Sequence, residues 1–337
     1  MKQRTIALAI TLMLGLGGSA WAESAPVSAA VSGGAAVAVG INEMLSAGRV
    51  DDAVKALDVR LKDSPRDAEA YNLLSRSYFA MQKWDRAVAA GEKAVSIAPN
   101  NSEYHMWLGR AYAEKADHSS FVTAATLTKK IRQEFERAVE LDASNVSARS
   151  DLAEFYIEAP AFMGGGKSKA RQQAEALAQQ DEAAAHWLQA RIAEKDKRFD
   201  VAEQEYHKAI QASGNQGSYW LNLASFYRRQ KRLSEMEAAI TSAMAADKKR
   251  PNVLFDAAQI LFGAGRNFVG AANFVRKYLV NGPTVEEAPA FQAHYLLGEI
   301  LEKEGDKAGA ATEYKAALAL ASDYERARTA LNRLNQK

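Results

Sequence analysis

The sequence predicts an all-α protein built from repeated helix–turn–helix units. Only seven prolines interrupt its 337 residues, and abundant Ala, Glu, Lys, Arg and Leu favour helix over sheet. Apolar and small residues recur at the i, i+3, i+4 and i+7 spacing of one helix face, as in Tyr71, Leu74, Ser75 and Tyr78. This pattern returns along the chain at a nearly constant interval, which is typical of a solenoid of stacked repeats.

The clearest repeat covers residues 68–101. After its first helix, Ala87 and Ala94 mark a second helix, and Pro99 ends it. These offsets resemble the tetratricopeptide repeat, a helix–turn–helix unit of about 34 residues. In that family, small side chains lie where the two helices of a pair approach closely. The resemblance assigns Ser75, Ala87 and Ala94 to these positions.

About eight such units are predicted over residues 37–322, and a capping helix follows over residues 324–334. The resemblance implies a right-handed superhelical solenoid whose first helices line the concave surface. The other seven units are recognised, in chain order, by Ala53, Leu108, Leu152, Ala190, Leu223, Ala258 and Leu297.

The N-terminal residues predict export. Lys2 and Arg4 precede an apolar run, and Ala20-Trp21-Ala22 has the A-x-A pattern of a signal peptidase site. We therefore expect a signal peptide over residues 1–22, export by the general secretory route, and a periplasmic product. An uncleaved anchor is the alternative, but the apolar run is well short of the ~20 residues of a spanning helix. Residues 23–38, rich in small side chains, predict a flexible lead-in to the array over 39–337.

Charge and cysteine content exclude several functions. Removal of residues 1–22 would take Lys2 and Arg4 from the 43 basic residues and none of the 41 acidic ones, so the mature chain would have no formal net charge. Nucleic-acid binders usually carry a basic excess, so no nucleic-acid partner is expected. The absence of cysteine excludes disulfides, thiolate metal sites and thiol catalysis. No integral membrane segment is expected after cleavage, and the oligomeric state is open.

Three segments depart from the repeat. An insertion near 113–125 predicts either a lengthened helical hairpin or a projecting binding ridge. A Pro- and Gly-containing segment near 158–168 predicts a wide turn or an exposed recognition loop led by Phe162 and Met163. Residues 281–289, with two prolines, predict a bend before the last repeat.

Residues 166–168, Gly-Lys-Ser, invite comparison with a phosphate-binding loop. The full motif requires a glycine where this chain has Ala161, and it requires a preceding strand. A helix is predicted there instead, so nucleotide binding is not expected.

No catalytic, cofactor or metal site is predicted. The five histidines are dispersed, and no H-E-x-x-H, G-x-S-x-G or dinucleotide motif occurs. His105, His186 and His294 share one repeat position, usually taken by a packing aromatic residue, which indicates a structural role.

The resemblance implies that ligands bind the groove lined by first-helix residues. Arg76, Arg110 and Arg191 share one groove position, so guanidinium groups would follow one another, suited to an acidic or C-terminal peptide segment. The alternative is that these arginines pair with Glu154 and other groove acids. The candidate groove residues are Asn72, Arg76, Trp107, Arg110, Trp187, Arg191, Asn222, Arg228 and Phe255.

Two functions follow from this surface. The first is a non-catalytic periplasmic scaffold or adaptor that binds peptide segments or partner subunits. The second is a carbohydrate-binding or enzyme-associated module of the cell envelope, in which Trp107 and Trp187 would stack on sugar rings.

Overall fold

The computed structural model describes residues 33–247, 251–281 and 288–336, and within these ranges the chain forms seventeen α-helices, one 3-10 helix and no strand. The 3-10 helix spans Ala161–Met163. The α-helices are α1 (Gly33–Ser46), α2 (Val50–Asp63), α3 (Ala68–Ala80), α4 (Trp84–Ile97), α5 (Ser102–Asp117), α6 (Phe121–Leu141), α7 (Val146–Glu158), α8 (Lys167–Leu177), α9 (Glu182–Lys195), α10 (Phe199–Ala212), α11 (Gly217–Arg229), α12 (Leu233–Ala246), α13 (Asn252–Gly263), α14 (Phe268–Asn281), α15 (Ala290–Glu304), α16 (Lys307–Leu320) and α17 (Glu325–Asn335).

The helices alternate as first and second members of successive pairs. The contacts join α5 to α6, α7 to α8, α9 to α10, and likewise the later pairs as far as α15 and α16. First helices also contact first helices, as in α5–α7–α9 and α11–α13–α15. The all-α array of about eight repeats with a capping helix, α17, is therefore confirmed.

The two helices of a repeat approach closely because small residues lie between them. Ala87 and Ala94 are fully buried, and the Ser75 hydroxyl donates a hydrogen bond of 2.8 Å to the Ala87 carbonyl. Gly109 fills the equivalent position of the next repeat. A Cβ atom added there would lie 2.6 Å from the buried Phe135 ring, so the ring occupies the space that a side chain would need.

The turn inside a repeat requires a left-handed residue at a fixed position. Glycine meets this requirement at Gly265 and Gly305, with φ of 65° and 90°. Gln82, Lys197 and Lys231 adopt the same conformation at the equivalent position, with φ of 59°, 58° and 60°. Left-handed backbone costs an L side chain about 1–2 kcal/mol, so these three turns are strained.

The described helices fall into two compact units. Unit 1 contains residues 66–79 and 83–215, that is, α3 to α10 apart from the last residue of α3. Unit 2 contains α1, α2 and α11 to α17, together with residues 80–82. Within unit 2 the Ser322 amide donates a hydrogen bond of 2.8 Å to the Asp51 carboxylate, so the α1–α2 pair contacts the turn before α17.

Several predicted boundaries differ from the structure. Helix α1 begins at Gly33, so the last part of the lead-in predicted over 23–38 is helical. The signal peptide, the rest of the lead-in and residues 282–287 of the predicted bend lie outside the described residues. None of the described helices is long and apolar enough to cross a membrane.

The insertion near 113–125 is taken up by helix. Helix α5 continues to Asp117, Ser120 caps the next helix by accepting a hydrogen bond from the Thr123 amide, and α6 runs for 21 residues. The segment forms a lengthened helical hairpin, and Phe121 and Val122 at its tip are exposed. A binding role for this tip stays a prediction.

The segment near 158–168 is a turn with extensive main-chain hydrogen bonds. The Gly165 amide donates to the Pro160 carbonyl and the Gly166 amide to the Tyr156 carbonyl, at 3.1 and 2.9 Å. A Cβ atom at Gly165 would collide with the Ala159 carbonyl oxygen, so only glycine fits there. The backbone is therefore a wide turn, and Phe162 on it is exposed, so its role as a recognition loop stays a prediction.

Candidate functional site

The candidate site of unit 1 lies on the first helices α3, α5, α7 and α9. On each first helix, small residues occupy the face that packs against the second helix of the same repeat. Charged and aromatic side chains therefore lie on a different face of the first helix. Contacts between α5 and α7, and between α7 and α9, bring the side chains of successive repeats together. We call the set Arg76, Trp107, Arg110, Asp151, Glu154 and Arg191 the unit 1 ladder.

Trp107 lies at the α3 end of this ladder. The Arg76 and Arg110 guanidinium groups lie over its ring at 5.0 and 4.8 Å from the centroid, and the Phe79 ring packs edge-to-face with it at a centroid separation of 5.7 Å. Arg76 also pairs with Glu103 at 3.2 Å. Cation–π contacts therefore hold the indole in place, and only 8% of Trp107 is exposed.

Arg110 of α5 is bound to Asp151 of α7. The Arg110 Nε donates to Asp151 Oδ2 at 2.6 Å, and both side chains are largely buried. Burial raises the pKa of Asp151, and the Arg110 charge opposes that rise. The pair thus ties two repeats together through desolvated charges.

Arg191 of α9 is bound to several carboxylates. It forms two hydrogen bonds with Glu154 of α7, at 2.9 and 3.1 Å, and further contacts with Glu158 and Glu194 at 3.2 and 3.1 Å. Burial alone would lower the pKa of Arg191, but the Glu154 and Glu194 carboxylates raise it. Lys195 adds a second cation on Glu158, at 2.7 Å.

The three arginines of the unit 1 ladder are all paired with carboxylates. Arg76, Arg110 and Arg191 do lie on first helices, but each is paired with a carboxylate. The structure therefore agrees with the alternative, in which these arginines pair with Glu154 and other acidic residues.

The remaining candidates of unit 1 are less accessible. Asn72 is buried, and its Oδ1 atom accepts no hydrogen bond within the described ranges. Trp187 is partly buried and packs against the apolar core of unit 1. These two residues therefore border the ladder without adding a charge to it.

In unit 2 the candidates differ in their environment. Asn222 is buried on α11, and Arg228 lies at the end of that helix. The sequence predicts Phe255 in the groove lining, but the residue is 2% exposed, and its ring centroid lies 5.7 Å from that of Tyr278 of α14. The placement of Phe255 on a ligand surface is therefore wrong, because a large apolar side chain gains more from burial against the second helix.

The three histidines at one repeat position each have a glutamate partner that the repeat pattern did not indicate. His105, His186 and His294 each contact a glutamate of the second helix of their own repeat, at 2.5, 2.7 and 2.6 Å. His186 and Glu205 are 19 residues apart, as are His294 and Glu313, and this repeated spacing could have indicated the pairing from the sequence. The glutamates are Glu134, Glu205 and Glu313.

His105 differs from the other two in having acceptors at both ring nitrogens. Nδ1 contacts the Glu134 carboxylate and Nε2 contacts the Pro99 carbonyl at 2.9 Å. Burial would lower the pKa of His105, but these hydrogen bonds raise it, because only the imidazolium donates from both nitrogens.

The described side chains offer little for metal or phosphate chemistry. Across residues 33–247, 251–281 and 288–336, no group of three or more His, Asp or Glu could hold a metal ion. Lys167, which follows the glycine-rich turn, is paired with Asp196, and α7 rather than a strand precedes the turn. These contacts do not fit the phosphate-loop interpretation.

Comparison with known proteins agrees with this architecture. A family model described as "Tetratricopeptide repeat" matches residues 42–102, 76–125 and 255–325. No curated protein sequence matches the chain.

Solved structures with related folds include yeast Tom70, at a TM-score of 0.53 and 15% sequence identity. That alignment covers 85% of this chain and 58% of the Tom70 chain, so this chain spans less than two thirds of its length. A tetratricopeptide repeat protein of Parabacteroides merdae aligns over 80% of this chain and 99% of its own, at 15% identity and a TM-score of 0.41. A tetratricopeptide repeat protein of Thermus thermophilus aligns over 64% of this chain and 92% of its own, at 18% sequence identity and a TM-score of 0.41.

The paired helices, the close approach at small residues and the three matched segments lead to one conclusion. The chain is a tetratricopeptide repeat protein, and its architecture is that of a scaffold for protein–protein interaction.

Proposed function

We propose that this chain is a non-catalytic periplasmic scaffold that holds a peptide segment or a partner subunit against the first-helix face of its repeats. The unit 1 ladder is the observation that carries the proposal. Arginine and tryptophan are enriched at protein contact surfaces, and here they recur on successive first helices. Their side chains are already fixed by neighbours, so little freedom is lost when a partner binds.

The ladder also limits the kind of segment that binds there. An acidic peptide would have to displace Glu103, Asp151 or Glu154 from the guanidinium groups. We therefore expect unit 1 to select its partner by main-chain hydrogen bonds and by apolar contact with the partly buried Trp187. Lys195 and Glu103, which are 40% and 51% exposed, supply charges at the rim.

The geometry favours a peptide over a carbohydrate. Sugar rings stack on an accessible aromatic face, whereas Trp107 is 8% exposed and two guanidinium groups lie over its ring. Trp187 is partly buried against the core. No observation in unit 1 therefore favours the carbohydrate-binding alternative.

The proposed periplasmic location rests on the sequence of residues 1–22. N-terminal sequencing of the protein from fractionated bacteria is the test. We expect a mature chain that begins at Glu23, in the periplasmic fraction. An intact Met1 on cytoplasmic protein would contradict this location.

Site-specific photo-crosslinking tests partner binding. A benzoylphenylalanine in place of Glu103, at the rim of the ladder, should give discrete adducts with a partner in living cells. The matched control replaces Glu140 on the second helix α6, which is 69% exposed. Trp107→Ala should remove the Glu103 adducts while circular dichroism shows an unchanged fold. Equal adducts from both positions would exclude the first-helix face as the specific surface.

A further inference from the structure

The second helix α14 of unit 2 has an exposed stripe that combines apolar and basic side chains. Four exposed residues at i, i+4, i+7 and i+11 form this stripe along one side of the helix: Val269, Asn273, Arg276 and Val280. The two valines at its ends are 64% and 86% exposed. Apolar side chains of this size gain free energy when a partner covers them.

Helix α16, the second helix of the next repeat, has an equivalent stripe. Its exposed residues at the same four positions are Ala308, Thr312, Lys315 and Ala319. The two helices share one register, because each has fully buried residues at the same three positions: Ala271, Val275 and Tyr278 in α14, and Ala310, Tyr314 and Ala317 in α16. Both helices pack against α15, and stacked repeats keep equivalent positions on the same side.

The charge at the third position of the stripe is reversed between the two units. In three of the four second helices of unit 1, namely α4, α6 and α8, this position has a glutamate: Glu92, Glu136 and Glu175. In α14 and α16 the same position has Arg276 and Lys315. Helix α14 contains no acidic residue, and Glu313, the one acidic residue of α16, is bound to His294 of α15.

The cations of these two helices have no counter-ions among the described residues. Arg276 donates one hydrogen bond of 3.4 Å to the neutral Asn273 side chain, and neither Arg276 nor Lys315 forms an ion pair within the described ranges. Lys277 and Lys307, which are also exposed, are unpaired in the same part of the chain. This surface therefore has a local positive charge, although the formal net charge of the whole chain is only +2. A negatively charged partner would be attracted to it.

We propose that the exposed stripes of α14 and α16, here called the basic face, bind an acidic amphipathic helix of a partner protein. The main-chain groups of α14 and α16 are bonded within each helix, so an extended segment gains no main-chain hydrogen bonds there. A partner helix satisfies its own main chain and needs only side-chain contacts. The basic face belongs to second helices of unit 2, so the proposal does not depend on partner binding at the unit 1 ladder.

The side chains of the basic face define this partner helix. Its apolar residues pack on the two valines of α14, and the small Ala308 and Ala319 side chains allow it to approach α16 closely. Its carboxylates pair with Arg276 and Lys315. The valines are 11 residues apart, about 16 Å along α14, so about three turns of a partner helix cover the stripe.

Titration of the full chain with two synthetic peptides tests the proposal. Both are alanine-based helices of about 16 residues, enough for the three turns required, with leucines along one face. Glutamates flank the leucines in one peptide and glutamines in the other, and circular dichroism verifies that both are helical. The methyl signals of Val269 and Val280, assigned through their loss in Val269→Ile and Val280→Ile, are followed by NMR. We expect saturable shifts, with the glutamate peptide bound about fivefold more tightly and with this preference reduced by added salt.

Two double variants separate the basic face from general charge effects. Arg276→Gln/Lys315→Gln should weaken binding of the glutamate peptide about fivefold and remove the preference over the glutamine peptide. The matched control, Lys93→Gln/Lys129→Gln, removes two exposed cations from the second helices α4 and α6 of unit 1, and it should leave binding unchanged. Circular dichroism monitors the fold of each variant.

The same titrations identify the results that overturn the proposal. Equal affinity for the two peptides, or unchanged binding in Arg276→Gln/Lys315→Gln, would exclude an acidic helix as the partner. Vesicles of phosphatidylglycerol and phosphatidylcholine in equal amounts are added in a separate titration. Valine shifts with these vesicles but not with the glutamate peptide would overturn the proposal in favour of a lipid surface. Shifts that depend on protein concentration alone would overturn it in favour of a second copy of the chain.

Discussion

The close approach of α5 and α6 makes Gly109→Ala a sharp test of the packing. A methyl group at Gly109 would lie 2.6 and 2.7 Å from two ring carbons of Phe135, where an ordinary contact is about 3.5–4.0 Å. The ring is fully buried in the core of unit 1, so it has no free space into which to move. The substitution must therefore shift the two helices apart or force the ring away from its rotamer.

The expected magnitude follows from two opposing effects. Overpacking of a well-filled core costs about 1–3 kcal/mol. Replacing glycine by alanine inside a helix gains about 0.5–1 kcal/mol in backbone entropy and helix propensity. We therefore expect Gly109→Ala to lower the free energy of unfolding by roughly 1–2 kcal/mol, measured by urea denaturation followed by circular dichroism.

Gly40 in α1 provides the matched control. Apart from the neighbouring turn of α1 itself, no heavy atom of the described residues lies within 4 Å of a Cβ atom built there, so Gly40→Ala should be neutral or stabilising. Adding Phe135→Leu to Gly109→Ala should cost less than the sum of the two single changes, because the smaller side chain relieves the contact. If Gly109→Ala were as stable as Gly40→Ala, the assigned contact between α5 and α6 would be wrong.

Three further predictions concern charge, pH and backbone strain. Arg110→Met should lower the free energy of unfolding by about 3–5 kcal/mol, because it leaves Asp151 buried without its partner. The double variant Arg110→Met/Asp151→Leu should recover most of this loss. Equal stability of the single and double variants would contradict the pairing. The pKa of His105 is raised in the folded state, so protonation of this side chain stabilises the fold. The stabilisation should be fully present below the pKa of unfolded histidine and should be lost as pH rises through the pKa of the folded state. Urea denaturation from acid to alkaline pH should show this loss in the parent but not in His105→Gln. Lys197→Gly should raise the free energy of unfolding by roughly 0.5–1 kcal/mol, since it removes a left-handed side chain, whereas an unchanged denaturation midpoint would argue against strain in that turn.

The repeat could be predicted from the sequence because its requirements are local. Ser75 lies opposite Ala87, twelve positions later, and Ala190 and Ala202 have the same spacing in the α9–α10 pair. Helix ends were less certain, because nothing in residues 113–125 fixes where a helix stops. Continued helix satisfies the backbone there without a loop, and Ser120 provides a cap for α6.

The pairing of the site residues could not be predicted with the same certainty. Arg110 and Asp151 are 41 residues apart, and their contact depends on the spacing and rotation of two first helices. The repeat position placed Arg110 on the correct face but did not decide between a free guanidinium group and a paired one. Phe255 shows the opposite error, because a repeat position does not specify whether a large apolar ring turns outward or into the core.

The lengthened hairpin of α5 and α6 has a consequence for engineering the chain. At about 1.5 Å per residue, the 21 residues of α6 extend roughly 10 Å further than the 14 residues of α4 or α10. Main-chain breaks and inserted domains are tolerated best at exposed tips that carry few packing contacts. New chain termini between His118 and Ser119, or a fluorescent domain inserted there, should therefore leave the stacking of the neighbouring repeats intact, which would make this tip a suitable attachment point for a reporter.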